Sequence, residues 1–467
     1  MAGQPTTRLH VSGHRFLLRR MTHALVRGDV RMLDDPLRAQ ALSLLVGAVA
    51  AAVAVAVCAV LALLRPAAGL ADAPVVMVRD SGAMYVRVGE TIHAVDNLAS
   101  ARLIAGTPAA PRLVSQRAVD AAPHGPRMGI PDAPQDIPPP LVPQETDWTV
   151  CEDTGDDERA GTTVIAGPIA EALVAAGQQV LVSPRGGSAA ATYLLYDGLR
   201  ARVDLRHPAV VRALRIDGVV AQPVSPSLLA AIPEAPAIVP PHIPALGSPP
   251  PTALTGHPVG SVVAVPRTGG ADHFVVLAGG VQRIGEVTAD LIRYTDSRDG
   301  EQIPTVAPEV IGAVPVVDTL PVTSHPARGG VTRPAVICAR WRVDGDGPGS
   351  HTAVLVGDSA PTRTRTVALA QADGAGPAVD AVAVPPGRSV YTRSVGLTGD
   401  GHEAGSLVLV TESGVRYGIT DRDAAASLGL PADPVPAPWP VLAELPRGPE
   451  LSRAAASVLR DGAGPAP

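Results

Sequence analysis

Ala41–Leu64 reads ALSLLVGAVAAAVAVAVCAVLALL, 24 residues without a charge or a proline. At about 1.5 Å per residue, a helix of this length crosses a hydrocarbon core of roughly 30 Å. The run therefore predicts a single-pass membrane protein. Ahead of it stand Arg8, Arg15, Arg19, Arg20, Arg27, Arg31 and Arg38 against Asp29, Asp34 and Asp35, while only Arg65 and Arg79 follow before Tyr85. The positive-inside bias puts residues 1–40 in the cytoplasm and residues 65–467 beyond the inner (plasma) membrane. A cleaved signal peptide is the rival reading, because small residues surround Leu70, but its leader would be far longer than usual. Cys58, inside the span beside Val57, reads as a small apolar helix residue rather than a lipid attachment point.

Working outward toward the N-terminus, Ser12 is placed to cap a helix from about His14 to Gly28. Leu17, Met21, Ala24 and Leu25 form one apolar face, while Arg15, Arg19, His23 and Arg27 recur every four residues on another. Such a helix suits an anionic lipid leaflet or a cytoplasmic partner. The plainer reading is a solvated helix that only sets topology. His10 and His14 are four apart but lack a third ligand for a metal.

Composition narrows the chemistry. No lysine occurs, so all 38 basic residues are arginine, and a G-x-x-x-x-G-K-[ST] phosphate loop is excluded. A net charge of -6 without a basic block beyond residue 40 argues against nucleic acid as a partner. The 49 prolines and 47 glycines predict many turns and extended connections. On the exported side only Cys151 and Cys338 occur, in a compartment where thiols oxidise. One intramolecular disulfide is the favoured state, with two buried free thiols or an intermolecular bond as alternatives. No C-x-x-C spacing marks a redox pair.

Beyond the span, four stretches share a pattern: residues 84–106, 193–218, 273–296 and 407–430. Each begins with an apolar strand, turns at a glycine (Gly89, Gly198, Gly279 or Gly280, Gly414), resumes a short strand and closes on a helical Ala/Leu pattern. A β-hairpin followed by one helix is the expected unit, at irregular spacing. Val259–Val265, Val331–Trp341, Ala353–Val356, Thr364–Leu369 and Val379–Val384 are candidate strands of a central β core. The expected fold is an α+β extracytoplasmic domain with a central β core and four hairpin-helix repeat units. Thr107–Pro143, Pro223–Pro258 and Pro431–Pro449 read as proline-rich spacers or wraps, the last within a proline-rich C-terminal segment, 431–467.

A search for catalytic chemistry is thin. G-x-S-x-G, H-E-x-x-H, a complete EF-hand loop and G-x-G-x-x-G before a helix are all absent. Asp344-Gly-Asp-Gly reads as a surface turn rather than a calcium loop, and the histidines beyond the span are scattered singly. No catalytic, cofactor-binding or metal-ligating residue is singled out.

Several blocks resemble one family. VSGHRFLLRRMTHALVRGDVRMLDDPLR directly ahead of the span, VSPSLLAAIPEAPAIVPPHIPALG at Val224–Gly247, ICARW at Ile337–Trp341 and PAPWPVLAELPRGPELSRAA near the C-terminus are similar to those of EccB. EccB is a membrane component of actinobacterial type VII (ESX) secretion systems. His10 and His14 depart from the glutamine and aromatic residue of the family pattern. The resemblance implies an inner-membrane core subunit partnered by the EccC-type motor ATPase, EccD and EccE, with self-association in a multimer. It also implies four repeat domains around a disulfide-bonded core, with Cys151 and Cys338 in the bonded positions. A non-catalytic scaffold without cofactors is the expected function. The alternatives are a nucleotide hydrolase, which some family members are labelled and which would use ATP, or a peptidoglycan-binding module. Against hydrolysis stand the missing lysine and a large domain on the side that lacks ATP.

Overall fold

The computed structural model describes residues 7–28, 36–64, 73–155, 161–186, 191–295, 302–344, 349–400 and 404–461, in two compact units that divide at Ala71. The N-terminal unit contains α1 (Arg8–Arg27) and α2 (Pro36–Leu64). α1 starts earlier than Ser12 predicts: Thr7 is the extended residue before it, and the Ser12 hydroxyl donates to the Leu9 carbonyl at 3.1 Å. A serine that bonds back into its own turn is tolerated inside a helix. Gly28 ends α1 in the left-handed conformation. Within α2, Gln40–Leu61 is long and apolar enough to cross a membrane.

In the large domain, the first of the four stretches is part of a longer unit. Strands Val75–Val78, Met84–Val88 and Thr91–Val95 pair antiparallel, and α3 (Leu98–Ala105) follows. Arg112–Val114 then pairs parallel to the first strand, and after α4 (Gln116–Asp120) His124–Met128 pairs parallel to the third. The strand order is therefore fourth, first, second, third, fifth.

The second unit repeats this order with Val180–Pro184, Thr192–Tyr196, Leu199–Val203, α5 (Pro208–Leu214), Gln222–Val224, α6 (Pro226–Ala230) and Glu234–Ile238. Even the register shift between the third and fifth strands recurs, at His93/Val95 and Ala201/Val203. The third unit has Val262–Arg267, Gly270–Leu277, Gly280–Ile284, α7 (Glu286–Thr295) and α8 (Pro308–Gly312). Its last two strands shrink to single parallel bridges, Ala264 with Thr305 and Val281 with Val316. The fourth has Val390–Val395, Leu407–Val410, Arg416–Ile419, α9 (Arg422–Leu428), Val435–Pro438 and α10 (Trp439–Ala443). Arg447 and Leu451 bridge back to Arg416 and Ile419. α11 (Arg453–Ala456) and Leu459–Arg460 return to the first unit, where the latter pairs with His124–Met128.

The proline-rich segments thus supply edge strands and short helices rather than spacers. In each unit one proline carbonyl accepts from the third strand: Pro123 from Ile92, Pro233 from Arg200, Pro315 from Val281 and Pro446 from Arg416, at 2.8–2.9 Å. Proline lacks an N–H but accepts freely, which suits it to a sheet edge.

A seven-stranded sheet lies between the units in sequence. Its order is Val367–Ala368, Ala381–Ala383, Gly161–Ala166, Trp148–Asp153, Val336–Val343, Ser350–Gly357 and Val174–Ala176. Of the expected core strands, Val259–Val265 instead overlaps the first strand of the third unit, where it has a hairpin partner of its own. Side chains alternate with the period of two that strands impose. Trp148, Val150, Ala339 and Trp341 pack with Val180, Leu228, Val390 and Leu442 from the second and fourth units, while Cys151, Cys338 and Leu355 pack in a smaller cluster. The first and fourth units share a core around Leu103, Tyr391 and Leu428, and α7 adds Val287 and Leu291 to the core of the second.

Candidate functional site

Arg15 and Arg19 are exposed on α1, His23 is buried with 5% exposure, and the side chain of Arg27 lies outside the described residues. Leu17, Met21 and Leu25, one helical turn apart, are all exposed. α1 therefore presents basic groups and an apolar stripe together, the combination that binds an anionic interface or a complementary helix.

Cys151 and Cys338 stand directly opposite on neighbouring strands of the central sheet, with Cα atoms 4.0 Å apart, and are disulfide-bonded. The bond spans 187 residues of sequence, so it joins the sheet strand that precedes the second unit to the one that follows the third. Both sulfurs belong to fully buried residues.

One residue further along the same strand, Glu152 is completely buried. It forms an ion pair with Arg185, accepts from the Thr162 hydroxyl at 3.0 Å and accepts from the Ser225 amide at 3.2 Å. Asp380 completes the network, accepting from the amides of Thr162, Asp373 and Gly374 at 2.7–2.8 Å. Burial lowers the Arg185 pKa, and the charges of Asp380 and Asp373 oppose that shift. The network ties the central sheet to the start of α6 and to the Asp373–Asp380 loop. Sequence reasoning missed it, although a glutamate directly after Trp148-Thr-Val-Cys151 in a strand is a signal of buried charge.

Residues 345–348, and with them most of the Asp344-Gly-Asp-Gly motif, lie outside the described residues; Asp344 itself hydrogen-bonds His351 at 2.7 Å. Among the described residues, no three of His, Cys, Asp and Glu are grouped to hold a metal. Buried polar side chains such as Gln282, which donates to Asp318 and Leu320 at 3.0 Å, are committed to bonds that pin loops to sheets. These bonds hold elements together, and the Thr288 hydroxyl, 3.1 Å from His325 Nδ1, joins α7 to the chain that follows the third unit in the same way.

Comparison with known proteins supplies context for this architecture. A family described as "Type VII secretion system ESX-1, transport TM domain B" matches residues 3–465. The ESX-3 secretion system ATPase EccB3 of Mycolicibacterium smegmatis is 37% identical over 473 residues, which cover 97% of this chain and 91% of that protein. The ESX-5 secretion system ATPase EccB5 of Mycobacterium tuberculosis is 32% identical over 98% of this chain and 94% of its own length. Among solved structures, an intact ESX-5 inner membrane complex contains a chain with a TM-score of 0.71 and 31% identity, covering 99% of this chain and 97% of that one. An EccB3 dimer from the ESX-3 core complex matches with a TM-score of 0.72 and 33% identity, covering 82% of this chain and 100% of that one.

Proposed function

The chain belongs to the EccB family of type VII secretion proteins, and from that membership we propose a non-catalytic structural subunit of an ESX inner-membrane core complex. α2 anchors it in the membrane. The arginine bias ahead of the span puts α1 in the cytoplasm and the large domain in the periplasm. There the rigid set of four units builds or lines the export path.

The observation that carries this reading is the destination of the buried polar groups. Glu152, Arg185 and Asp380 bond the central sheet to the second unit and to the Asp373–Asp380 loop. Solved relatives form a dimer and belong to an inner membrane complex, which supports self-association here. An EccC-type motor, EccD and EccE are the expected further partners, with membrane lipid against α2.

Reversing Arg15 and Arg19 to glutamate tests the cytoplasmic half of the proposal. Recovery of partners with the chain from native membranes should fall, while the large domain keeps its disulfide and circular dichroism. Undiminished recovery would reduce α1 to a topology signal.

Because relatives carry the name ATPase, hydrolysis is the second reading, and it would need a phosphate site built without lysine. Turnover that saturates, survives removal of contaminating ATPases and is lost with one substitution in this chain would establish it. Turnover that follows a contaminant would eliminate it.

A further inference from the structure

The four units invite comparison at one position, where the third strand leads into the first helix. The second unit has a groove there of about 480 Å³, the third one of about 860 Å³ and the fourth one of about 790 Å³. In the first unit the neighbouring sheet edge is covered by Leu459–Arg460, and Arg127 pairs with Asp96 at 2.7 Å.

In the second unit both groove arginines are neutralised from within, and in the third all but Arg328 are. Arg206 pairs with Asp204 at 3.2 Å and Arg202 with Glu234 at 3.4 Å. Arg283 and Arg267 both pair with Asp272, at 2.8 and 3.0 Å, and Arg215 pairs with Glu286.

The fourth unit differs. The two carboxylates that line its groove accept from other groups: Asp421 from the Ala424 amide at 2.7 Å and Glu450 from the Thr420 hydroxyl at 2.8 Å. Among the described residues, Arg416, Arg422 and Arg447 have no salt-bridge partner, although all three line the groove. Arg416 donates to the Leu445 carbonyl at 3.1 Å and lies 5.2 Å from the Trp439 ring centre. Trp439 is 44% exposed, whereas Trp148 and Trp341 are buried in the central core. Burial, and after it the like charge of Arg447, lowers the Arg416 pKa, and a bound anion would offset the charge of these two groups.

We propose that this groove binds a phosphorylated ring compound, its phosphates held by Arg416, Arg422 and Arg447 and its ring laid against the Trp439 indole. Guanidinium forks match phosphate oxygens two at a time, and an exposed indole offers a flat apolar plate. An acidic peptide fits less well, because its carboxylates bring no flat ring to the exposed Trp439 indole. The ring is a nucleobase or a sugar.

The test is calorimetric titration of the full chain, in neutral detergent at low salt, with ATP, glucose 1-phosphate, pyrophosphate and polyglutamate. Saturable binding of a ring phosphate is expected, and the tighter of ATP and glucose 1-phosphate names the ring. Arg422→Glu or Arg447→Glu should weaken it about tenfold or more, the loss of one charge-assisted bond, while Arg206→Glu in the second unit leaves it unchanged. Trp439→Ala should remove the preference for a ring phosphate over pyrophosphate. Binding should also protect Trp439 fluorescence from acrylamide. The proposal is overturned by the absence of saturable binding, by tighter binding of polyglutamate, or by an Arg206→Glu effect as large as those in the fourth unit.

Discussion

Glu152 shows how one residue can commit a sheet to its surroundings. Removing one partner of a buried pair strands the other, so Glu152→Ala should cost about 3–5 kcal/mol in urea unfolding, and Glu152→Gln less because it keeps hydrogen-bonding capacity. Cys151→Ala with Cys338→Ala should cost about 2–5 kcal/mol on the scale of native disulfides, read as a lower unfolding midpoint. His325 adds a pH term: burial lowers its pKa from 6.5 in the fold, and its Nδ1 lies 3.1 Å from the Thr288 hydroxyl. Below about pH 6.5 the unfolded chain therefore binds the proton more readily, and this contribution to stability is present above that pH and lost as pH falls. His325→Gln should shrink the drop in urea midpoint between pH 7.5 and 5.5. At this scale the cysteine pair was legible from count and compartment. Glu152 was not, because its partners lie far away in sequence, at Thr162, Arg185 and Ser225.

Among the elements, the hairpins and their following helices were legible because strand alternation, a turn glycine and an Ala/Leu helix fall within about twenty residues. The second half of each unit was hidden by its prolines. SQRAVDAAP at Ser115–Pro123, SPSLLAAIP at Ser225–Pro233, APEVIGAVP at Ala307–Pro315 and PWPVLAELP at Pro438–Pro446 align as one motif. The fifth residue of each, Val119, Leu229, Ile311 and Leu442, is buried. Reading proline as a linker signal obscured a helix start and a sheet edge, both places proline fits. The turns also differ in surroundings. Gly89 and Gly198 both have positive φ, but a Cβ at Gly89 meets open space while one at Gly198 would overlap the Thr352 carbonyl of the central sheet. Both alanine variants carry backbone strain of about 1 kcal/mol. Gly198→Ala should lose a further 1–3 kcal/mol or so through overpacking, so its melting temperature should fall well below that of Gly89→Ala.

Across the molecule, the chain closes on itself. Arg453 reaches the Ile104 carbonyl, Arg460 donates to the Gly129 carbonyl at 3.0 Å, and Leu459–Arg460 extends the sheet of the first unit. Ending the chain after Leu451 should speed amide exchange in α3 and His124–Met128 and leave the central sheet protected, since local opening follows lost contacts. This closure was not legible in sequence, where a two-residue strand has no period to detect. A membrane anchor, a disulfide-bonded central sheet and four units of one topology describe a part made to hold other parts. Isolation of the tagged full chain from its native membrane in gentle detergent, with mass spectrometry of what accompanies it, tests that claim most directly. A large assembly containing several copies of the chain, an EccC-type motor and a multi-span partner is expected. Recovery of the chain alone, folded and still in its detergent shell, would contradict it.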